Sequence, residues 1–159
     1  MASAPKPVSF PQKSQLGESW VALCIALGIH VADEALTGFL AVYNPTVIVL
    51  RAQWSWFPMP TFQFRAWLAG LICAVVILLL LSPLFFRGAR WIRPLGYFAA
   101  FINILNALGH TLGTIMGRTV ASVHFPRPAP GFYSSPLLFI CSVWLLVELV
   151  RTKRMAHSN

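Results

Sequence analysis

The chain contains four long apolar stretches, and ionisable side chains interrupt two of them. His30 and Glu34 lie within the stretch 20–43, and His110 lies within the stretch 95–116. A charged side chain near the centre of a bilayer costs at least about 2.5 kcal/mol, so such residues usually face the interior of a helix bundle and have partners there. The pattern therefore predicts a bundle of membrane helices with a polar site inside it.

The composition is that of a membrane protein. Hydrophobic residues make up 57% of the chain and charged residues 10%, whereas a soluble domain is roughly 45–50% apolar and about 25% charged. The 159 residues suffice for one domain of four crossings, since each crossing needs about 20 residues. We therefore predict an all-α integral membrane bundle of four transmembrane helices over 18–151, between a flexible tail, 1–17, and a basic tail, 152–159.

The apolar stretches and their boundary residues place the four helices. We predict them at about 18–43, 66–86, 93–117 and 136–150. The pair Asn44-Pro45 is expected to end the first helix, because a residue before proline disfavours the helical conformation. The aromatic and proline-containing segment 54–64 suits the level of the lipid head groups. It predicts a surface loop, with a short interfacial helix after the first helix.

The net charge of +8 raises the question of a nucleic-acid partner. The basic residues are spread through loops and tails, without a basic stripe interleaved with aromatic residues, so the sequence argues against nucleic-acid binding. Most of them lie in the two tails and in the loop between the second and third helices. By the positive-inside rule, both termini are expected in the cytoplasm, in a bacterial-type plasma membrane with contacts to anionic lipid.

Polar residues form a stripe on each of two predicted helices, because residues three or four apart share a helix face. The stripes comprise His30, Asp33, Glu34 and Thr37 on the first helix and Asn103, Asn106, His110 and Thr114 on the third. Antiparallel packing would bring the two stripes to similar depth in the membrane. We therefore expect His30 and Glu34 to lie near His110, with Asn103 and Asn106 as supporting hydrogen-bonding groups.

Three glycines on the predicted third helix indicate close packing. Gly109, Gly113 and Gly117 have the small-xxx-small spacing that allows two membrane helices to approach each other. We expect Gly113 to lie where the third helix meets another helix.

Imidazole and carboxylate together in a bundle are typical of a metal site. Zinc and non-haem iron both take these ligands, and helix bundles present them from facing helices. His30, Glu34 and His110 would supply two imidazoles and one carboxylate, leaving an open coordination position. Asp33 would be a fourth ligand or an acceptor that orients an imidazole. On this interpretation the protein is a metal-dependent membrane enzyme that acts on a lipid-like or otherwise apolar substrate.

Two interpretations without a metal remain open. Glu34 and Asp33 could act catalytically in an acid/base relay, as in a small carrier or a proton-coupled transporter. The same residues could instead form a satisfied polar network that joins two helices of a non-catalytic accessory subunit in a membrane complex.

Other polar residues are expected outside the site. Glu148 lies one turn before Arg151, and a salt bridge between them is expected near the end of the fourth helix. His124 is expected to be exposed in a loop, and His157 belongs to the carboxyl-terminal tail. The cysteines lie in separate apolar stretches without a Cys-x-x-Cys pair, so we expect no disulfide.

The sequence also resembles a known family. The run His30-Val31-Ala32-Asp33-Glu34 is similar to the signature of the HXXEE-domain proteins, with aspartate where the signature has glutamate. The later run 106–110, which ends in a histidine, and the downstream pair Pro130-Gly131 are similar to that family's second motif. The resemblance covers the first helix and about 103–138. It implies a small multi-helix membrane protein and indicates which residues form a site, but it does not indicate which reaction the site would catalyse.

Overall fold

The computed structural model of the protein describes residues 12–155, and within them the side chains of 15–154. Most of the two predicted tails, and His157 with them, lie outside the described residues. The predicted domain boundaries at 18 and 151 therefore stay predictions.

The described part of the chain is helical, as the composition and pattern predicted. Its helices are α1 (Gln12–Thr37), α2 (Phe39–Gln53), α3 (Phe64–Leu80), α4 (Ser82–Phe86), α5 (Arg93–Met116) and α6 (Ser135–Met155), with a 3₁₀ turn at Arg90–Ile92 before α5. Four segments are long and apolar enough to cross a membrane, namely Gln15–Thr37, Phe64–Phe86, Arg90–Met116 and Ser135–Arg154. The prediction of an all-α bundle of four transmembrane helices is confirmed.

The first predicted helix is divided into two, and its predicted end at residue 43 is wrong. α1 ends at Thr37, and Gly38 adopts a left-handed conformation with a φ of 78°. Glycine takes this conformation without the steric penalty of a Cβ atom, which is why helices often end there. α2 then continues through Pro45, so the Asn44-Pro45 pair does not end a helix. The predicted short helix after the first one is present.

The segment after α2 folds back onto it. Tyr43 donates a hydrogen bond from its hydroxyl group to the carbonyl of Pro60, at 2.9 Å. Asn44 bonds both backbone groups of Phe62, donating to its carbonyl at 2.9 Å and accepting from its N–H at 3.0 Å. Asn44 therefore connects α2 to the segment 54–63 and does not cap a helix.

α1 starts at Gln12, six residues before the predicted start at 18 and within the predicted flexible tail, whereas the boundaries of the later helices lie near the predicted ones. The predicted helix 66–86 corresponds to α3 and α4, which are separated at Leu81 just before the proline of α4. α5 ends at Gly117, which is left-handed with a φ of 68°. α6 begins at Ser135, one residue before the predicted start at 136, and extends beyond the predicted end at 150.

The core lies where α1 packs against α6 and α4, and where α6 packs against α5. Trp20 of α1 stacks on Phe85 of α4 with ring centroids 3.8 Å apart and an interplanar angle of 11°. The fully buried residues around them include Leu16, Ala100, Leu138, Leu145 and Leu149. Most of the aliphatic surface of α3 is exposed, for example at Ile77 and Leu80, which suits a helix surrounded by lipid.

The glycine stripe of α5 does not form the helix contact that was predicted at Gly113. A Cβ atom at Gly113 would lie 3.5 Å from Ala129 and Phe125, which belong to the loop after α5. The close helix contacts of α5 are instead at Gly96, where a Cβ atom would lie 3.1 Å from side-chain atoms of Phe85 and Leu149. The prediction was wrong because the loop 117–134 folds back over this face of α5.

Candidate metal centre

The two histidines and the glutamate of the predicted site meet in the structure. His30 and Glu34 lie one turn apart on α1, and His110 reaches them from α5. The ligand atoms of the three side chains lie within 4.8 Å of one another. Glu34 Oε1 is 3.1 Å from His110 Nε2 and 3.5 Å from His30 Nε2. All three residues are buried, with exposed fractions of 0% for His30, 5% for Glu34 and 7% for His110.

Ser134 fixes the other side of the His30 ring. Its Oγ atom lies 2.8 Å from His30 Nδ1 and 2.8 Å from Asp33 Oδ2, while its backbone N–H donates to the same Asp33 oxygen at 2.8 Å. Because an ionised carboxylate only accepts, the Ser134 hydroxyl donates to Asp33 and accepts from His30 Nδ1–H. This network assigns the proton of a neutral His30 to Nδ1. The Nε2 lone pair then accepts from the Asn106 amide, 3.1 Å away, and a cation bound at Nε2 would replace that hydrogen bond.

Asp33 is therefore placed beside the cluster and not within it. Its carboxylate bonds Ser134, and the group of ligand atoms that could hold an ion consists of His30, Glu34 and His110. This is the arrangement expected for an acceptor that orients an imidazole, here acting through a serine that the sequence did not single out. Nothing in the sequence distinguishes Ser134 from the adjacent Ser135, because only the packing of α6 beside α1 shows which hydroxyl reaches His30.

The two predicted supporting asparagines have different partners. Asn106 Nδ2 lies 3.1 Å from His30 Nε2, so this side chain touches the cluster. Asn103 Nδ2 donates to the carbonyl of Ala99 on its own helix, at 2.9 Å. Asn103 lies about two turns before His110, roughly 10 Å along the helix axis. The structure thus places Asn106 at the site and Asn103 in the packing of α5.

The loop between α5 and α6 covers the cluster at Gly131. This residue has a φ of 80°, and a Cβ atom on it would lie 2.8 Å from His110 Cε1 and 3.0 Å from Glu34 Cγ. Only glycine combines that backbone conformation with so close an approach. The cover therefore excludes solvent from the ring of His110 and from the stem of Glu34.

The threonines of the two predicted stripes hold this loop. Thr37 Oγ1 accepts a hydrogen bond from the Gly131 N–H at 3.1 Å. Thr114 Oγ1 accepts one from the Ala129 N–H at 2.9 Å. The last residue of each stripe, Thr37 or Thr114, therefore holds the loop that covers the cluster and does not supply a ligand atom.

The remaining polar residues lie elsewhere, as predicted. Glu148 Oε1 forms an ion pair with Arg151 Nη1 at 2.8 Å, which confirms the expected salt bridge. His124 is exposed in the loop, and it is absent from the group of ligand atoms found among the described residues. The three cysteines are free.

The donor set fits a divalent cation. His110 Nε2 lies 3.1 Å from Glu34 Oε1, and no other polar atom of the described residues bonds this buried nitrogen. A buried imidazole nitrogen facing a carboxylate needs either a proton or a cation to avoid an unpaired polar atom. Two imidazoles and one carboxylate match the three-ligand sites of catalytic zinc, which keep a fourth position open.

An apolar cavity adjoins the cluster. It has a volume of about 280 Å³, and its walls include Phe39 and Val42 of α2, Leu105 and Gly109 of α5, and Phe125 of the loop. His110 and Asn106 line the same cavity. The cluster thus borders a space that can hold an apolar group.

None of the family models, curated proteins or solved structures compared with the chain is similar to it. The resemblance to the HXXEE-domain proteins therefore stays a prediction, and the functional argument proceeds from the site.

Proposed function

We propose that this protein is an integral membrane enzyme whose His30, Glu34 and His110 side chains bind a divalent cation, zinc or iron, and which acts on a lipid-like or otherwise apolar substrate. The observation that carries the proposal is the convergence of three buried ligand atoms within 4.8 Å, with Glu34 Oε1 3.1 Å from His110 Nε2 and 3.5 Å from His30 Nε2. The adjoining apolar cavity supports the substrate class.

The residues around the site would have separate tasks. A bound cation would supply Lewis acidity, which lowers the pKa of a bound water molecule or polarises a substrate carbonyl. Ser134 and Asp33 hold the His30 ring with Nε2 facing the cluster. Gly131 covers the site and keeps water from it, and exclusion of water strengthens electrostatic interactions inside a site.

Metal content tests the proposal directly. Protein purified without chelator from metal-replete cells should contain stoichiometric zinc or iron by mass spectrometry. His30→Ala, Glu34→Gln and His110→Ala should each lose it, since each removes one ligand. Glu148→Gln is the matched control, because Glu148 is also a buried carboxylate, with an exposed fraction of 2%, but lies outside the cluster. A metal-free wild-type protein would contradict the proposal.

A proton-coupled carrier is the second candidate, and one observation favours it. Polar contacts run without interruption from Glu34 through His30 and Ser134 to Asp33, and Asp33 is half-buried whereas Glu34 is buried. Such a chain of groups can pass a proton between a buried carboxylate and a less buried one. Proton flux into vesicles that contain metal-free protein, abolished by Ser134→Ala, would select this function over the metal enzyme.

A further inference from the structure

The apolar cavity and the metal cluster share two residues. His110 contributes its ring to both, and Asn106, which contacts His30 Nε2 at 3.1 Å, also lines the cavity. The other lining residues are apolar except Thr119, whose hydroxyl group already has Thr46 Oγ1 as a hydrogen-bond partner, at 2.5 Å. The cavity is thus a largely apolar space, and the polar side chains at its inner wall are those of the cluster.

The cavity borders the outer surface of the bundle. Leu105 and Gly109, which line it, are both exposed on α5, within a segment long and apolar enough to cross a membrane. A hydrocarbon chain can therefore reach the cavity from the bilayer without passing through water.

The volume limits what the cavity can hold. Its volume of about 280 Å³ is at the lower end of the range for small-molecule pockets, roughly 300–1,000 Å³. This suits a single chain of medium length, or the head and first carbons of a longer chain, and is too small for a two-chain phospholipid.

We propose that this cavity binds the end of a single hydrocarbon chain that bears an oxygen-containing head group, an alcohol or a carbonyl, with the head group against His110 and Asn106. The inference rests on the proposed function in that the head group meets the proposed metal cluster. It goes further by placing the substrate between α2 and α5 and by limiting it to one chain.

The head group, and not the chain, provides the selectivity. Lipid tails are as apolar as the cavity walls, so moving a chain from the bilayer into the cavity gains little from the hydrophobic effect. A hydrogen bond to a buried polar group contributes about 1 kcal/mol, which corresponds to about fivefold in affinity. An alcohol should therefore bind about fivefold more tightly than the alkane of the same length.

Two glycines provide a matched pair of variants. A Cβ atom at Gly109 meets no other atom within 4 Å, and the residue lines the cavity. A Cβ atom at Gly70 on α3 also meets nothing within 4 Å, and Gly70 does not line this cavity. Leucine has a higher helix propensity than glycine, so both Gly109→Leu and Gly70→Leu should fold. Only the first fills the cavity.

The experiment is photolabelling of the purified protein in lipid nanodiscs with a medium-chain fatty alcohol that carries a diazirine at its far end. Mass spectrometry should locate the label on cavity residues such as Phe39, Val42 and Leu105. Gly109→Leu should reduce this labelling about tenfold, whereas Gly70→Leu should leave it unchanged. Val42→Phe, which narrows the cavity from α2, should reduce it as well. The diazirine alkane of the same length should label these residues about fivefold less than the alcohol.

The outcomes separate this proposal from the proposed function. Metal content is measured on the same samples, and Val42→Phe should retain the metal, because Val42 lies on α2 and is not one of the three ligands. Cavity labelling in a protein that proves metal-free would support the chain site and contradict the metal enzyme. A metal-loaded protein whose labelling is the same in wild type and Gly109→Leu, or the same for alcohol and alkane, would contradict the chain site.

Discussion

At the scale of single residues, the site depends on side chains that touch no ligand position. His30 offers one nitrogen to the cluster because Ser134 holds the other, at 2.8 Å, and Ser134 is itself held by Asp33. Hydrogen bonds of this kind fix the ring orientation and the tautomer of a metal-binding histidine. The affinity of the site for a cation should therefore change when a residue that bonds His30, without binding the cation itself, is substituted.

Ser134→Ala should lower metal affinity about 10–100-fold, the usual effect of losing a hydrogen bond behind a ligand. Ser135→Ala is the control, because Ser135 Oγ donates to the Gly131 carbonyl at 2.8 Å and Ser134 Oγ lies 3.3 Å from the same oxygen, but only Ser134 bonds His30. Competition with a fluorescent chelator measures the affinity. Equal affinity in both variants would show that Ser134 does not orient His30.

Gly131→Ala should destabilise the protein and disturb the site. Its φ of 80° is unfavourable for alanine, and the new Cβ atom would lie 2.8 Å from His110 Cε1. We expect a loss of about 1–3 kcal/mol together with weaker metal binding. Gly38→Ala separates the two causes, since Gly38 has a φ of 78° and open space around it. It should cost only about 1 kcal/mol and leave metal binding intact, as thermal melting and metal titration would show.

At the scale of elements, α1 is the centre of the bundle, because it packs against α3, α4 and α6 and carries two of the three ligands. The stacking of Trp20 on Phe85 connects α1 to α4. Trp20 Nε1 also donates to the carbonyl of Leu78, at 2.9 Å, near the end of α3. These contacts fix the position of α1 at Trp20, far along the helix from the ligands His30 and Glu34.

Phe85→Ala should destabilise the bundle by about 3–5 kcal/mol, the usual cost of removing a buried phenylalanine from a packed core. Phe98→Ala is the control, because Phe98 on α5 is 63% exposed and Phe85 is fully buried. Thermal unfolding in detergent compares the two variants. An equal effect of both would mean that α4 does not anchor α1.

The sequence predicts much of this arrangement, and what it misses depends on tertiary contacts. The spacing of His30, Glu34 and His110 along two helices was enough to predict their meeting, since helical periodicity defines a face. The break at Gly38 had a local signal, a glycine after a helical run, which the continuing apolar pattern obscured. The role of Ser134 had no local sequence signal, because Ser134 lies 104 positions from its partner His30.

At the scale of the whole molecule, the candidate metal site of His30, Glu34 and His110 lies toward one end of the bundle. Glu34 is close to the end of α1 at Thr37, and the loop with Gly131 covers it from the same end. The opposite end holds the basic turn before α5 and the ion pair of Glu148 with Arg151. Because the number of candidate spanning segments found is even, we expect both ends of the described chain on one side of the membrane.

The orientation of the bundle in the membrane follows from where the charges lie. Arg87 and Arg90 lie between α4 and α5, and Arg93 is the first residue of α5, so by the positive-inside rule we expect this basic end to face the cytoplasm. The metal cluster and its covering loop would then lie toward the outer face. Cysteine substitutions at Arg90 and at His124, both exposed, test this in a variant without the native cysteines. A membrane-impermeant maleimide added to intact cells should label position 124 and not position 90. The reverse pattern would place the cluster toward the cytoplasm, and lysis before labelling, which should expose both positions, is the control.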